Sequence, residues 1–261
     1  MKNLEKVFQR LKTNTYLNKK STKEGAAILK ISEQLFLNLK AFKEYSDIGT
    51  RILVIGDLHC PNELKKYLKF NCELRDKYCI TDVVFIGDIV DNYWLSTFVK
   101  SPDYERSPTS ELKEARQSLQ TWYTEFPEAT VINGNHDFAR LKKIAGLSSI
   151  PSIYLKSFSE IYNLPEWKFI DEAVIDGIHF EHGERGTALK IANKLQKSVV
   201  CGHRHTETYI NYINNDTFAI QTPCGLNRSE LPFDYVKKSL GEFTTGSIVI
   251  INKEPIIKIM K

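Results

Sequence analysis

Residues 52–59 read Ile-Leu-Val-Ile-Gly-Asp-Leu-His, an apolar run of four residues that ends in glycine, aspartate and histidine. A short apolar run bounded by turn residues is typical of a buried strand. Similar runs return at residues 83–86, 130–132, 178–181 and 198–200. Helical patterns separate the early runs, at residues 62–78 and 110–125. Strands that alternate with helices predict an α/β domain.

Polar residues follow each of these predicted strands at once. Five of the chain's six histidines fall in the turns, and only His179 lies inside a predicted strand. The carboxyl ends of strands line the ligand crevice of open α/β sheets, so the five turns are expected to meet. Glycine lets each turn bend tightly beside a ligand. The turns are Gly56-Asp57-Leu58-His59, Gly87-Asp88-Ile89-Val90-Asp91, Asn133-Gly134-Asn135-His136-Asp137, His182-Gly183 and Cys201-Gly202-His203-Arg204-His205.

A cluster of aspartate, histidine and asparagine side chains has the chemistry of a metal site. Carboxylate and imidazole ligands suit manganese, iron and zinc. The ligands are too many for one tetrahedral zinc, and two ions about 3.5–4 Å apart share them better. Two dications favour a phosphate ester and the negative charge that develops during its hydrolysis. Each turn alone is also typical of ordinary polar caps, but five of them after five strands favour an active site.

Together the five motifs resemble the calcineurin-like metallophosphoesterase superfamily, and the layout of the chain resembles its compact phage and bacterial members. The superfamily pattern is GDxH, GDxxD, GNHD or GNHE, H and GHxH, and the resemblance covers about residues 51–260. It implies a four-layer α/β/β/α sandwich. It also implies a phosphoric ester hydrolase in which a hydroxide that bridges two divalent metal ions attacks the phosphorus. Manganese is the expected metal, with iron or zinc as alternatives.

The resemblance also implies roles for individual residues. Asp88 is expected to bridge the two ions, His136 to protonate the leaving oxygen, and Asp91 to orient His136. Asn92 and Tyr93 stand where protein phosphatases of the superfamily have Arg-Gly, which argues against activity on phosphoproteins. The implied ligands are Asp57, His59, Asp88 and His205 for one metal, and Asp88, Asn135, His182 and His203 for the other.

Four further residues are candidate substrate contacts. Arg140 follows the third turn and Arg204 lies between two implied ligands, so both are candidates for binding a substrate phosphate. Tyr93 and Trp94 open a long connection before the next predicted helix, and aromatics interleaved with cations suit base stacking. The alternatives are ordinary surface arginines and a small hydrophobic cluster under the loop.

Residues 1–46 are predicted to form a helical segment in front of a catalytic domain over residues 47–261. Ser21 and Glu24 make a capping box, and Ser32 caps a second helix predicted for residues 33–45. Residues 24–39 resemble a helix-turn-helix core, although Lys30 stands where glycine is usual. The alternative is a helical hairpin that packs on the catalytic domain or forms a dimer contact.

Positive charge is concentrated in the same segment. Residues 1–50 hold nine lysines and one arginine against four glutamates and one aspartate, whereas the whole chain has a net charge of +4. This imbalance predicts DNA or RNA as a partner, with a solvated lysine-rich face as the alternative. No apolar run approaches the roughly 20 residues of a membrane span, so we expect a cytoplasmic protein without membrane association. The five cysteines contain no C-x-x-C pair and are expected to be reduced.

Three functions follow from these patterns. The leading hypothesis is a metal-dependent phosphodiesterase or nuclease that acts on nucleic acid. The second is a phosphatase or phosphodiesterase of small nucleotides. The third is a nucleic-acid-binding regulator without catalysis, and the complete ligand set argues against it.

Overall fold

The computed structural model describes residues 21–29, 31–41, 49–227, 229 and 242–261. The part of the predicted helical segment before residue 21, and the predicted end of its second helix after residue 41, lie outside these residues. The strands are β1 (Arg51–Ile55), β2 (Asp82–Phe85), β3 (Thr130–Ile132), β4 (Lys168–Ile170), β5 (Glu172–Ile175), β6 (Ile178–Glu181), β7 (Val199–Cys201), β8 (Tyr209–Tyr212), β9 (Phe218–Gln221), β10 (Gly246–Ile251) and β11 (Glu254–Ile259). The α-helices are α1 (Thr22–Leu29), α2 (Glu33–Ala41), α3 (Tyr67–Tyr78), α4 (Pro108–Glu125), α5 (Phe138–Leu147), α6 (Phe158–Tyr162) and α7 (Ala188–Leu195).

The strands form two mixed sheets. The first has the order β11-β10-β1-β2-β3-β4, and its strands β1 to β4 run parallel to one another. The second has the order β5-β6-β7-β9-β8, and β6, β7 and β9 are its parallel strands. In the second sheet the antiparallel strands β5 and β8 therefore lie on either side of the parallel centre. In the first sheet the antiparallel strands β10 and β11 both lie on one side of the parallel strands.

The two sheets pack face to face, with helices on their outer sides. Strand β1 is buried on both faces, as expected of a central parallel strand. Its Ile52 and Val54 face the second sheet, in a cluster with Phe180, whereas Leu53 and Ile55 face the helices. Helices α3 and α4 cover the first sheet, and α7 covers the second. This four-layer arrangement confirms the predicted α/β/β/α fold class.

The described part of the N-terminal segment is a pair of short helices. Ser21 and Glu24 form the expected capping box at the start of α1, and Ser32 Oγ accepts the N–H of Leu35 at the start of α2. Helix α2 contacts both α1 and α3, and Phe36 is fully buried. The contact with α3 agrees with the alternative in which the helical hairpin packs on the catalytic domain, and the helix-turn-helix remains a prediction.

Two predicted helix boundaries in the catalytic domain change. The helix expected over residues 62–78 begins only at Tyr67, because Cys60 and Glu63 form isolated β-bridges with Val90 and Leu226. The helix expected over residues 110–125 begins earlier, at Pro108, because the Ser107 side chain caps it. None of the described helices combines the length and apolar composition that a bilayer crossing needs.

Candidate metal centre

The candidate metal centre is built from the turns that follow parallel strands of both sheets. Strands β1, β2 and β3 precede Asp57, Asp88 and Asn135, and strands β6 and β7 precede His182 and His203. Parallel strands present their carboxyl ends at one edge of a sheet, and the packing of the two sheets brings the two edges together. All seven predicted ligands therefore lie in turns at the strand ends, as the sequence predicts.

One group of candidate ligands combines Asp57, His59 and His205. One ligand atom from each of the three side chains lies within 4.8 Å of the other two. His205 Nε2 is 2.9 Å from Asp57 Oδ2, and the His203 backbone N–H donates to the same oxygen at 3.0 Å. Asp57 and His59 are buried, whereas His205 is partly exposed, so this half of the centre opens toward solvent through His205.

A second group combines Asp88, His182 and His203, whose ligand atoms also lie within 4.8 Å of one another. The Nδ1–H of His182 donates to the Ile86 carbonyl at 2.9 Å, which leaves Nε2 to face the centre. Nε2 is 3.2 Å from Asp88 Oδ2 and 3.2 Å from Asn135 Oδ1. Three electron-rich atoms converge there, and such an arrangement calls for a proton or a metal cation between them.

Asp88 joins the two groups. Its Oδ2 is 3.5 Å from His59 Nε2 in the first group and 3.2 Å from His182 Nε2 in the second. Its Oδ1 accepts the backbone N–H of His136 at 2.8 Å, which fixes the rotation of the carboxylate. Asp88 therefore lies between the two groups of candidate ligands.

The buried charges of the centre favour a cation. Burial alone raises the pKa of Asp88, but the His182 and His136 rings outweigh it and hold this pKa well below its usual range. Burial lowers the pKa of His182, but the Asp88 carboxylate outweighs it and raises this pKa to about 10. Burial and the neighbouring His136 lower the pKa of His59 to about 4, so His59 is neutral and keeps a lone pair for a metal. Carboxylate, amide and imidazole groups are ligands that divalent cations accept, and the negative charge of the carboxylates also attracts a cation.

Backbone conformation also marks these residues. His59, Asp88 and His203 have φ angles of 50°, 47° and 71°, in the left-handed region that non-glycine residues rarely adopt. Strain of this kind clusters at functional sites, where the surrounding structure holds it in place. Three of the seven predicted ligands are therefore held in conformations that packing, rather than local preference, selects.

His136 lies beside the two groups of ligands. Its Nδ1 donates to the Asp91 carbonyl at 3.0 Å and approaches Asp91 Oδ1 at 3.2 Å. Asp91 Oδ1 also accepts a hydrogen bond from His59 Nδ1 at 2.9 Å. Asp91 thus orients two histidines, the predicted proton donor and a predicted metal ligand. The second of these contacts is not visible in the sequence.

Arg140 is in direct contact with His136. Its Nη2 donates to His136 Nε2 at 2.8 Å, and its Nη1 donates to the Asp91 carbonyl at 2.7 Å and the Asn92 carbonyl at 3.2 Å. His136 lies in the turn two residues before α5 and Arg140 lies in the first turn of that helix, so the two side chains meet at the start of α5. The guanidinium therefore lies at the edge of the centre, where the sequence places a candidate phosphate contact.

The other candidate substrate contacts have partners within the protein. Arg204 Nη1 pairs with Glu207 Oε1 at 3.2 Å. The Tyr93 ring packs on Tyr104 with 3.9 Å between centroids, and Trp94 Nε1 donates to the Arg106 carbonyl at 2.7 Å. This packing agrees with the alternative of a hydrophobic cluster under the loop. Substrate binding by Arg204, Tyr93 and Trp94 stays a prediction.

Three supporting features were missed in the sequence. Asp137 is buried, and its carboxylate accepts the N–H groups of Gly134 and Val90, which ties the second and third turns together. Gln221 donates to the carbonyls of Cys201 and Gly202 and so supports the turn that carries His203. A Cβ on Gly134 would collide with Asp88, so glycine is required for a contact that only the fold reveals.

A further acidic group lies next to the centre. Asp171, Glu172, Glu181 and Glu184 line a cavity of about 310 Å³ that also touches His182. His179 Nε2 is 3.0 Å from Glu181 Oε2, and Arg185 bridges Glu181 and Glu172. Because Arg185 and His179 already supply cationic or donor groups to these carboxylates, the cluster makes an acidic wall rather than an additional metal site.

The fold and this centre define a two-sheet α/β protein with clusters of candidate metal ligands at its strand ends. The chain belongs to the calcineurin-like phosphoesterase family, whose model matches residues 50–227. This membership confirms the resemblance seen in the five sequence motifs. No curated protein sequence matches the chain.

Solved structures of similar fold include three Vps29 proteins. Vps29 from Chaetomium thermophilum is 14% identical, with a TM-score of 0.41, and the match covers 77% of this chain and 82% of that one. A single mutant of Vps29 from Entamoeba histolytica is 12% identical, with a TM-score of 0.40 and coverage of 81% and 98%. Vacuolar protein sorting 29 from Cryptosporidium parvum is 14% identical, with a TM-score of 0.42 and coverage of 82% and 98%.

Proposed function

We propose that the protein is a hydrolase that cleaves phosphate esters at a centre for two divalent metal ions. The observation that carries this proposal is the position of Asp88, whose Oδ2 approaches one histidine of each ligand group. The residues that would hold the ions are Asp57, His59, Asp88, Asn135, His182, His203 and His205. Two bound divalent cations supply Lewis acidity and lower the pKa of water. Manganese, iron and zinc all suit this donor set.

The protein's own residues would handle the proton and the substrate. His136 is held by Asp91 through Nδ1, so Nε2 is the nitrogen that would serve the leaving oxygen. Nε2 accepts from Arg140 in the structure, so to act as a proton donor it would first take up a proton and release that hydrogen bond. Arg140 contacts that same nitrogen, so an anionic group placed beside His136 would also meet the guanidinium. Arginine binds phosphate oxygens with charge-assisted hydrogen bonds. The two side chains together would therefore position an ester and assist the departure of its alcohol.

The substrate that we favour is a phosphodiester in nucleic acid. The excess of lysine in residues 1–50 supports this choice, because phosphate contacts by cations dominate nucleic-acid binding. The second candidate is a small nucleotide. It is favoured by the acidic wall of Asp171, Glu172, Glu181 and Glu184, which would repel an extended polyanion on the side of the centre near His182. A regulator without catalysis would leave the paired ligand groups unexplained.

One set of assays tests the proposal. The purified protein with manganese is incubated with bis-p-nitrophenyl phosphate, single- and double-stranded oligonucleotides, mononucleotides and phosphopeptides. We expect hydrolysis of the chromogenic diester and of oligonucleotides, and none of it in the Asp88→Asn variant. Activity confined to mononucleotides would favour the second candidate. A metal-loaded protein that hydrolyses no phosphate ester would contradict the hydrolase proposal.

A further inference from the structure

A cavity of about 370 Å³ lies beside the 3-10 helix Tyr93–Leu95, away from the ligand groups of the metal centre. Helices α4, α5 and α6 supply most of its wall. The lining is largely apolar and includes the side chains of Trp94, Leu112, Leu141 and Phe158. Pockets for small molecules have this size and this character, with a small number of polar groups that fix the orientation of the ligand.

Glu111 provides such a polar group. Its side chain lines the cavity and is only 4% exposed. The two carboxylate oxygens accept the backbone N–H groups of Tyr93 at 2.6 Å and Trp94 at 3.3 Å. Arg140 and Lys100 act on this carboxylate only through their charge, and within the described part of the chain no side-chain hydrogen bond joins a cation to it. Burial, offset in part by the Tyr93 N–H, raises the pKa of Glu111.

The chemistry of the cavity selects one kind of ligand. A carboxylate has about four lone-pair sites, so two remain on Glu111, whose side chain lines the cavity. Trp94 and Phe158 contribute aromatic rings to the wall, and a flat ring packs well against such rings. A ligand with a ring and two neighbouring N–H groups would satisfy both the aromatic wall and the carboxylate. An aliphatic ligand would leave these two remaining lone-pair sites unused.

We propose that this cavity, the Glu111 pocket, binds a planar heteroaromatic group with two adjacent N–H donors. Guanine and 2-aminobenzimidazole both have this arrangement. The inference goes beyond the proposed hydrolysis, since binding in the Glu111 pocket requires neither metal nor turnover.

The Glu111 pocket is connected to the metal centre through Asn92. The Asn92 side chain lines the pocket, and its Nδ2 donates to the His136 carbonyl at 2.8 Å. Its Oδ1 accepts the hydroxyl of Tyr162, which also lines the pocket, at 3.1 Å. A ligand that displaces the Asn92 side chain would therefore break a hydrogen bond to the backbone that carries His136.

Direct titration of the full chain tests the proposal. The probe is 2-aminobenzimidazole, followed by ligand-observed NMR and calorimetry without added metal. Ala115, which is buried in the wall, is replaced by leucine to fill the Glu111 pocket, and Glu111→Gln removes the charge. The matched control is Gln117→Leu, which adds the same side chain to an exposed position of α4. We expect each pocket variant to lose about tenfold or more in affinity, the usual effect of a lost charged hydrogen bond or of a blocked site. The control should bind as the unchanged protein does.

Indole, which has one N–H, should bind more weakly than 2-aminobenzimidazole. The proposal is overturned if the unchanged protein shows no binding at millimolar probe, or if both pocket variants bind as tightly as the control. The thermal unfolding of every variant is also recorded. If Glu111→Gln proves to be destabilised, the binding measured for Ala115→Leu decides the test.

The source of the ligand is distinguished with the metal-loaded protein. If the Glu111 pocket binds part of the substrate, 2-aminobenzimidazole should raise KM for guanosine nucleotides. It should then leave the hydrolysis of bis-p-nitrophenyl phosphate unchanged. A separate effector predicts a changed kcat for bis-p-nitrophenyl phosphate. Either result supports binding in the Glu111 pocket. If the metal-loaded protein hydrolysed none of these substrates, the proposed function would be refuted, but the measured binding of the probe would still stand.

Discussion

Asp88 is the residue on which the proposed centre depends most. Its carboxylate faces histidines of both ligand groups, so replacement by asparagine removes the charge that two cations would share. We expect Asp88→Asn to bind fewer than two metal ions per chain and to lose hydrolysis. Metal analysis after dialysis measures this. The control is Asp103→Asn, which removes the same charge from an exposed loop. A fully loaded and fully active Asp88→Asn would contradict the dinuclear assignment.

His136 separates proton transfer from metal binding. It lies next to the ligands but is held by Asp91 and Arg140. His136→Ala should keep its metal and lose about 10²–10⁴-fold in kcat, the usual contribution of a general acid. The loss should be smaller for p-nitrophenyl esters than for alkyl esters, because p-nitrophenolate leaves without a proton. Comparing kcat for the two esters provides an internal control, and loss of metal from His136→Ala would show that it is a ligand instead.

The candidate ligands can be chosen from the sequence because their residue types and their places after strands are both visible there. The Asp91–His59 hydrogen bond and the Ile86 carbonyl that orients His182 are not visible there, since they join residues from different turns. The sequence predicts Tyr93 and Trp94 as substrate contacts, and it does not show that they also contact Tyr104 and Arg106 of the same loop. Only three-dimensional contacts distinguish a residue that faces solvent from one that packs under a loop.

At the scale of elements, Gly134 in the turn after β3 lets this third ligand turn pack closely against the second. A Cβ on Gly134 would collide with the Asp88 carboxylate and backbone, so Gly134→Ala must displace one of the two turns. We expect reduced metal affinity and a lower unfolding temperature for this variant. The matched control is Gly146→Ala in α5, where a Cβ meets open space. Alanine should be neutral there or stabilising by about 0.5–1 kcal/mol. Equal metal affinity in both variants would contradict the close approach of Gly134 to Asp88.

Elements with buried apolar runs were predicted well, and exposed ones were not. Strands β1, β3, β6 and β7 are buried along nearly their whole length and correspond to apolar runs in the sequence. Strands β4, β5 and β8 were missed because they are partly exposed and carry no continuous apolar run. Helix α6 has only five residues, too few for a helical period to appear, and its capping box of Ser157 and Glu160 was the one available signal.

At the scale of the whole molecule, the N-terminal hairpin is tied to the catalytic domain through α2. Phe36 is fully buried, whereas its neighbour Leu37 is 46% exposed. We expect Phe36→Ala to lower the free energy of unfolding by about 3–5 kcal/mol and Leu37→Ala to change it little. Chemical unfolding followed by tryptophan fluorescence reports the catalytic domain, because all three tryptophans lie after residue 90. If Phe36→Ala left this transition unchanged, the hairpin would unfold independently of the domain.

The predicted boundary at residues 46 and 47 rests on a change in composition, and composition does not reveal tertiary contacts. The family model begins at residue 50, close to that boundary, but α2 contacts α3 across it. Removing residues 1–46 would therefore expose part of α3 as well as remove positive charge. The role of the basic segment is better tested by changing its charge within the full chain.

The charge of the segment is tested with Lys40 and Lys43, two cations of the predicted recognition helix. We expect Lys40→Gln/Lys43→Gln to weaken DNA or RNA binding and to make the slope of log affinity against log salt shallower by about two, since each lost phosphate contact removes about one. The matched control is Lys113→Gln/Lys190→Gln, which removes the same charge from exposed positions of α4 and α7. Titration by fluorescence anisotropy at several salt concentrations measures both slopes. Hydrolysis of bis-p-nitrophenyl phosphate should be unchanged in either protein, because none of the four lysines belongs to the candidate metal centre.

If both variants lost affinity equally, net charge alone would explain the binding. If neither lost affinity, the basic segment would be a solvated face, and the small-nucleotide hypothesis would be favoured.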